Sequence, residues 1–291
     1  MRTATTLPDA ASYGILSIMK HVNIGFIGGG NMAHSLIGGL IADGMEAEKL
    51  WVSDPSAERL QLLQQEFSLH GESDNAAVCQ ACDVIVLAVK PQMLKAVCEE
   101  LAASIDAQLV ISIAAGVRGE AICRWLGKDV PLVRVMPNTP SLVQAGASGL
   151  FANSHVSTAQ HDIAESILRA VGLTVWLDDE KELDVVTALS GSGPAYFFYL
   201  MESMQAAAVD LGLTEKQART LTLQTAFGAA KMALESSDDP ATLRHKVTSP
   251  GGTTEAAINQ FETDHLRDSI ARALQTAATR ADELAQLLGE D

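Results

Sequence analysis

Residues 22–33 read Val-Asn-Ile-Gly-Phe-Ile-Gly-Gly-Gly-Asn-Met-Ala, a short apolar run that breaks into glycine and then into a helical pattern. The core is G-x-G-x-x-A at Gly28, Gly30 and Ala33. Alone, that spacing is weak evidence. Here it follows a strand, opens a helix, and is followed twenty-one positions after Ala33 by Asp54. In that context it predicts a dinucleotide site. Gly28 permits the tight turn, Gly30 lets the backbone approach a pyrophosphate, and Ala33 keeps the helix close to the strand. The helix N-terminus faces the phosphates, so Asn31 and Met32 join the cofactor-binding set.

Outward from this turn, the chain to about residue 180 alternates β-type runs with helical stretches. The clearest strands are Val22–Ile27, Leu50–Ser53, Val84–Val89, Leu109–Ile113 and Leu132–Val135. Several are continuous apolar runs, as strands buried on both faces must be. Helices are expected to open at Asp54-Pro55, Asp74 and Lys90-Pro91. This alternation predicts an α/β fold with a doubly wound, Rossmann-type parallel sheet over residues 22–180. From 181 to 291 the pattern turns helical and rich in alanine and leucine, with breaks at Ser190–Pro194, Gly212, Ser236–Pro240 and Ser249–Gly252. An all-α domain is expected there, and the stripe Leu221, Leu223, Ala226, Phe227, Ala230 and Met232 is suited to packing against a second subunit. Residues 1–21 carry no comparable fold signal and a poor secretory pattern; they are expected to be a disordered or dispensable extension, with Met19 as an alternative start.

Among 291 residues, twenty basic against thirty-six acidic give a net charge of −16. Such a surface offers no footprint for nucleic acid and is repelled by anionic membranes. No apolar run is long enough to span a bilayer. These features fit a cytoplasmic protein with a small-molecule substrate. Cys79 and Cys82 have C-x-x-C spacing, but no second pair follows among the four cysteines, so no metal site is expected. His34, His155 and His245 show no paired arrangement and read as surface or satisfied polar residues.

The end of the second strand, Val52-Ser53-Asp54-Pro55-Ser56 with Arg59 one turn later, bears on the coenzyme. Asp54 can accept from a ribose 2′-OH and repel a 2′-phosphate, which favours NADH. Ser53, Ser56 and Arg59 can instead cradle that phosphate, and Asp54 can equally be an N-cap. The residues leave both coenzymes open. The junction Ala88-Val89-Lys90-Pro91 lies at the end of another buried strand, where such ends line the cofactor crevice. Lys90 is read as ribose-facing or surface, with no proton transfer. Arg134–Pro140 is read as a further turn suited to the nicotinamide end.

Far down the chain, residues 248–258 read Thr-Ser-Pro-Gly-Gly-Thr-Thr-Glu-Ala-Ala-Ile. A proline and two glycines open a loop, two threonines supply hydroxyls, and a helical pattern follows at once. This exposes backbone N–H groups at a helix N-terminus, where a small carboxylate can sit. With Gly28–Ala33, Leu87–Gln92, Met136–Pro140 and Ala188–Ala195 it forms an ordered set. From about Val22 onward the whole resembles the pyrroline-5-carboxylate reductases, and the last segment is the family's most specific mark.

The resemblance implies hydride transfer from NAD(P)H to the C=N carbon of 1-pyrroline-5-carboxylate, giving L-proline, with NADPH the more frequent coenzyme and NADH plausible. It also implies a homodimer through the helical domain, with larger rings in some members. The hydroxyl of Thr254 is expected at the ring nitrogen. Ser249 and the N–H groups of Gly252, Thr253 and Thr254 are expected on the carboxylate, and Asn75 and Ser53 near the cofactor. An iminium is already a good hydride acceptor, so orientation matters more than a strong acid. The acidic residue that many relatives carry shortly before the loop has no clear counterpart in Glu235–Pro240, and no role is assigned there.

Two rivals remain. A β-hydroxyacid dehydrogenase needs a base, usually a lysine on the helix after a Gly-Ser-Gly turn. Here Gly191-Ser192-Gly193-Pro194 runs into Ala195-Tyr196-Phe197-Phe198-Tyr199, with no lysine before Lys216. Those aromatic residues read as core. A non-catalytic sensor of nicotinamide cofactors would need no carboxylate clamp, and Ser249–Thr254 weighs against it.

Overall fold

The computed structural model describes Met19 and residues 21–289. Most of the extension expected at 1–21 lies outside the described residues. Met19 itself is buried and packs into the core.

Eight strands form one sheet in the order β3-β2-β1-β4-β5-β6-β7-β8. They are β1 Ile24–Ile27, β2 Leu50–Ser53, β3 His70–Glu72, β4 Val84–Leu87, β5 Leu109–Ser112, β6 Leu132–Met136, β7 Gly146–Ala152 and β8 Gly172–Trp176. The helices between them are α1 Asn31–Ala42, α2 Ala57–Phe67, α3 Asn75–Ala81, α4 Pro91–Leu101, α5 Gly119–Leu126 and α6 Thr158–Arg169. Neighbouring residues of one strand enter opposite cores, as the two-residue period requires. Ile24, Phe26, Val84 and Val86 join the cluster that holds Leu36, Leu63 and Ile167. Ile27, Ile85 and Leu87 join the one that holds Leu94, Leu101 and Ile122. Burial on both faces is why these strands read as unbroken apolar runs.

The sheet is parallel except at one place. β7 pairs antiparallel with β6 and parallel with β8. The expected Rossmann-type parallel sheet is present, and this one antiparallel pairing is an addition to it. Only a loop with a 3-10 turn at Thr139–Val143 joins β6 to β7, and a parallel return would need a full crossover. α6 supplies that crossover for β8.

The chain divides into two compact units. One holds the described residues through 191 together with 277–289; the other holds 192–276. The sheet unit thus reaches eleven residues past the boundary drawn at 180 and includes the end of the last helix. It contains α7 Glu182–Val186, a π-helical turn at Thr187–Gly191, and the end of α12 Leu266–Gly289. Ala281 and Ala285 are buried. Arg118 binds Asp184 at 2.5 Å and Asp282 at 2.9 Å.

The second unit holds α8 Gly193–Asp210, α9 Glu215–Glu235, α10 Pro240–Lys246, α11 Thr253–Thr263 and the start of α12. Two caps are built as helix chemistry prescribes. Thr214 and Gln217 form a capping box on α9, and Asp239 accepts from the N–H groups of Ala241 and Thr242 on α10. Asp239 is held below the usual carboxylate range by its hydrogen bonds to Thr242. Asp238 pairs with Lys246 and Glu235 with Lys231, so all three acids of that stretch are engaged locally. The aromatic run of α8 is not core within this chain: Phe197 is 64% exposed, Phe198 63% and Tyr199 72%. Leu221, Phe227 and Met232 on α9 are more than half exposed too.

Candidate active site

The residues singled out at the front of the chain converge at the carboxyl ends of β1, β2 and β4. This is the point where the strand order reverses, and ligands of such sheets bind in the crevice there. The Gly28 N–H donates to Ser53 O at 2.8 Å, and the Ala88 N–H donates to Ile27 O at 2.9 Å. Gly28 has φ +99°, and a Cβ there would lie 2.9 Å from Ala88 O; no other residue type fits that turn without strain. Gly30 is different. It caps α1 with an extended backbone and no side-chain hydrogen bond, and a Cβ added to it would meet nothing within 4 Å. The turn therefore presents open space in front of the first-turn N–H groups of Asn31, Met32 and Ala33, which lack intrahelical acceptors. A pyrophosphate fits that cradle.

Four other helices of the sheet unit close their starts with hydrogen bonds. Ser56 accepts from Arg59 on α2, Asp74 from Ala76 on α3, and Ser157 forms a capping box with Gln160 on α6. The Gly119 N–H of α5 donates to Glu180 at 2.6 Å, and α4 begins with Pro91 behind an exposed Lys90. Asp74 and Lys90-Pro91 open helices as expected. Asp54 does not: the cap of α2 is Ser56. Asp54 Oδ2 accepts from the Gly29 N–H at 2.9 Å and Oδ1 from the Ser56 N–H at 2.9 Å. Arg59 Nε donates to Gly29 O, so the middle glycine is held through both its N–H and its carbonyl. Ser53 is fully buried, with its hydroxyl 2.6 Å from Asn75 Oδ1, and Asn75 Nδ2 donates to Glu100. That pair braces the crevice floor; a fully buried hydroxyl is not free to cradle a phosphate. Ala88 and Val89 are partly exposed beside the turn.

Arg134 is not in the crevice. It is buried and pairs with Glu180 at 2.8 Å, and burial holds its guanidinium below the ordinary value while Glu180 opposes the shift. It contributes to an open groove of about 730 Å³ with Glu180, Asn153 and His155. Further along that segment, Asn138 binds the carbonyl of Ser190 at 3.0 Å and the N–H of Ala147 at 2.9 Å, which ties the π-helical turn to β7. His34 is a satisfied polar residue, 2.9 Å from Glu66 and edge-on to Phe67. Cys79, Cys82 and Cys98 are free, buried thiols pushed up to about 12 by desolvation. Among the described residues no group of three or more His, Cys, Asp or Glu could hold a metal ion, and no helix is long and apolar enough to cross a membrane.

In the second unit the predicted loop-to-helix junction is present at the start of α11. Gly252 is its cap and offers no side chain. The Gly252 N–H donates to Ser249 O at 3.0 Å, so it is used in the turn and is not available to a carboxylate. The first-turn N–H groups of Thr253 and Thr254 lack intrahelical acceptors. Glu255 Oε2 accepts from the Gly251 N–H at 2.7 Å, so this carboxylate is tied back to the loop. Ser249 is exposed and Thr254 partly exposed. The junction is a second uncapped helix start with hydroxyls beside it.

Comparison with known proteins agrees with this arrangement. Residues 180–284 match a family described as pyrroline-5-carboxylate reductase dimerisation, and residues 23–116 one described as "NADP oxidoreductase coenzyme F420-dependent". A pyrroline-5-carboxylate reductase of Pseudomonas aeruginosa is 51% identical over 273 residues, covering 94% of this chain and 100% of the relative. One from Vibrio alginolyticus is 43% identical over 271 residues, covering 92% and 100%. The structure of a pyrroline-5-carboxylate reductase from Coxiella burnetii superposes with a TM-score of 0.88 at 50% identity, covering 91% of this chain and 98% of that one. The Plasmodium falciparum pyrroline carboxylate reductase with NADP bound gives 0.81 at 29% identity, covering 92% and 99%.

The reversed strand order and the open glycine turn define a dinucleotide-dependent oxidoreductase on a Rossmann sheet. Relatives of such identity, matched over their full length, carry the assignment further: the chain belongs to the pyrroline-5-carboxylate reductase family. Its reaction is the reduction of 1-pyrroline-5-carboxylate to L-proline with NAD(P)H.

Proposed function

We propose that the substrate carboxylate is seated on the Thr253 and Thr254 N–H groups at the start of α11, with the Ser249 hydroxyl beside it, while the Thr254 hydroxyl contacts the ring nitrogen. The observation that carries this reading is the uncapped α11, with its two threonines and no side chain filling the cap. The positive end of the helix dipole favours an anion there. The coenzyme supplies the hydride. The residues of this chain supply orientation: the N–H groups of Asn31, Met32 and Ala33 hold the pyrophosphate, and Gly30 leaves it room. Thr254 holds the ring nitrogen so that one face of the C=N bond is presented. Because the protonated imine accepts hydride readily, no strong acid is required, and proximity accounts for most of the acceleration.

The helical domain, 181–291 with the boundary drawn from sequence, is proposed as the dimerisation and substrate domain. The exposed aromatic and aliphatic side chains of α8 and α9 support a homodimer, since a second copy would cover them. Larger assemblies of dimers are compatible with this. A cytoplasmic location fits the acidic charge of −16, and neither nucleic acid nor membrane is proposed as a partner.

Thr254→Ala tests the reading. Loss of a hydrogen bond to a charged nitrogen is expected to cut kcat/KM by about tenfold to a hundredfold. Coenzyme affinity, measured by fluorescence titration, should stay unchanged, and Thr254→Ser should recover most of the rate. Turnover near wild type in the alanine variant would overturn the role.

A further inference from the structure

Arg134 is buried in the sheet unit, yet its charge is met on one side only. Its side chain is 6% exposed, and Nη1 alone reaches Glu180, at 2.8 Å. Nε is shut off from solvent and has no partner among the described residues. Glu180 is also used on one side: Oε1 accepts both from Arg134 and from the Gly119 N–H, and Oε2 takes neither. Buried N–H groups are nearly always paired, and a buried guanidinium with an open edge calls for an acceptor. That edge, Nε with the amino group beside it, is one that holds a carboxylate through two parallel bonds.

Both residues line the open groove of about 730 Å³, a volume usual for small-molecule sites. Its lining comes from α5, β6, β7 and the loops beside them, and β6 stands three strands from β1, so the groove is separate from the glycine turn. The charges on its walls balance: Arg124, Lys128 and Arg134 against Glu120, Asp129 and Glu180. A phosphate would face three carboxylates there, and a divalent cation three bases. A molecule with one charge of each sign meets neither objection. Arg124 already donates to Gly289 O and Lys128 to Ile105 O, which leaves Arg134 and Glu180 as the adjacent pair with an unused side each. We propose that this groove binds a small zwitterionic amino acid, with its carboxylate on the open edge of Arg134 and its ammonium on Glu180 Oε2. The site is additional to the coenzyme and substrate positions and independent of them.

The test is calorimetric titration of the intact protein with L-alanine, L-proline, propionate and ethylamine, with no coenzyme and no turnover. Both amino acids are expected to bind, and propionate and ethylamine, each lacking one of the two charges, to bind at least about tenfold more weakly. Glu180→Gln keeps an oxygen for Arg134 and the Gly119 N–H but loses the counter-charge to the ammonium. It should weaken the amino acids about tenfold or more and leave propionate no weaker than before. Ser154 lines the groove from an exposed position, so Ser154→Trp fills it without touching the ion pair and should abolish L-alanine binding, even where Glu180→Gln fails to fold. Thr254→Ala should leave the L-alanine titration as it was, which separates this site from the substrate position. No binding of either amino acid, propionate as tight as L-alanine, or unaltered L-alanine binding in Ser154→Trp overturns the proposal. So does amino-acid binding that survives Ser154→Trp and disappears in Thr254→Ala, since it then belongs to the substrate position. Thermal unfolding of each variant establishes that it is folded.

Discussion

Two glycines two residues apart are expected to respond oppositely to the same methyl group. At Gly30 an added Cβ meets nothing within 4 Å, and the backbone is extended with φ −67°. The folded state therefore accepts alanine with only the loss of a good N-cap residue, about 0.5–1 kcal/mol. That corresponds to a fall in Tm of roughly 1–2 °C for a chain of this size. The same methyl stands in the open space at the α1 start, where the pyrophosphate is proposed to sit, so coenzyme affinity is expected to fall at least about tenfold. At Gly28 the φ of +99° and the 2.9 Å approach to Ala88 O act on folding directly. Strain of about 1–2 kcal/mol for the left-handed backbone and about 1–3 kcal/mol for overpacking are expected together. Gly28→Ala should therefore unfold several degrees lower still, on the order of 3–8 °C below the parent. Differential scanning fluorimetry with and without NADPH, beside direct titration, reads both effects. A Gly30→Ala protein that binds both coenzymes as tightly as the parent would refute the placement of the pyrophosphate. If it melted as early as Gly28→Ala, the argument from open space would fail instead.

The buried ion pair gives another test. Arg134 has a side chain only 6% exposed and Glu180 one 22% exposed, so Arg134→Met leaves a half-buried carboxylate with little besides the Gly119 N–H. A loss of about 3 kcal/mol is expected, and Arg134→Met with Glu180→Gln should recover part of it; urea midpoints decide, and a double variant no better than the single one would remove the pair's role. The thiols make a pH prediction. Cys79, Cys82 and Cys98 titrate near 12 in the folded protein against an ordinary value of 9.0, so between those values the unfolded chain loses protons that the folded one keeps. Their contribution to stability is therefore fully present below about pH 9 and declines as pH rises towards 12. Replacing Cys98 by alanine should flatten the fall in urea midpoint between pH 8 and 10.5, and the three thiols should resist labelling by a disulfide reagent at pH 8 until denaturant is added. Fast labelling of the folded protein would show that they are not buried.

Much of the sheet was legible in the sequence because its central strands have no polar face. β1 and β4 alternate between two cores, so neither has a polar face; the first run ends sharply at Gly28, while the second runs on through Ala88 and Val89 past the end of the strand at Leu87. β3 and β7 carried no such signal. His70-Gly71-Glu72 is a short edge strand held by pairing to β2. Gly146-Ala-Ser-Gly-Leu-Phe-Ala152 has small residues where strands usually carry bulky ones. Packing explains one of them: a Cβ on Gly149 would lie 2.9 Å from Val186. The strand trades intrinsic preference for close approach of α7, and that preference belongs to the tertiary fold, not to the segment. The aromatic run of α8 was misread for a related reason. Apolar periodicity reports that a face will be covered, without reporting whether the cover comes from the same chain.

The site divides along a similar line. The groups proposed to face its ligands are backbone N–H donors at helix starts, and glycine, proline and threonine mark such places because their backbone and capping preferences are local. Gly28–Ala33 and Ser249–Thr254 were therefore singled out from their spacing together with the helix start that follows each of them. The roles of charged side chains were not, because a carboxylate at a strand end can cap a helix, bind a ribose or hold a neighbouring loop with the same atoms. Asp54 does the last of these, through the N–H groups of Gly29 and Ser56, and only the folded geometry distinguishes the three. The same holds for Gly252, whose N–H is used by Ser249 O before any ligand arrives. Spacing tells where an anion can be met; the internal hydrogen bonds decide which donors are left to meet it.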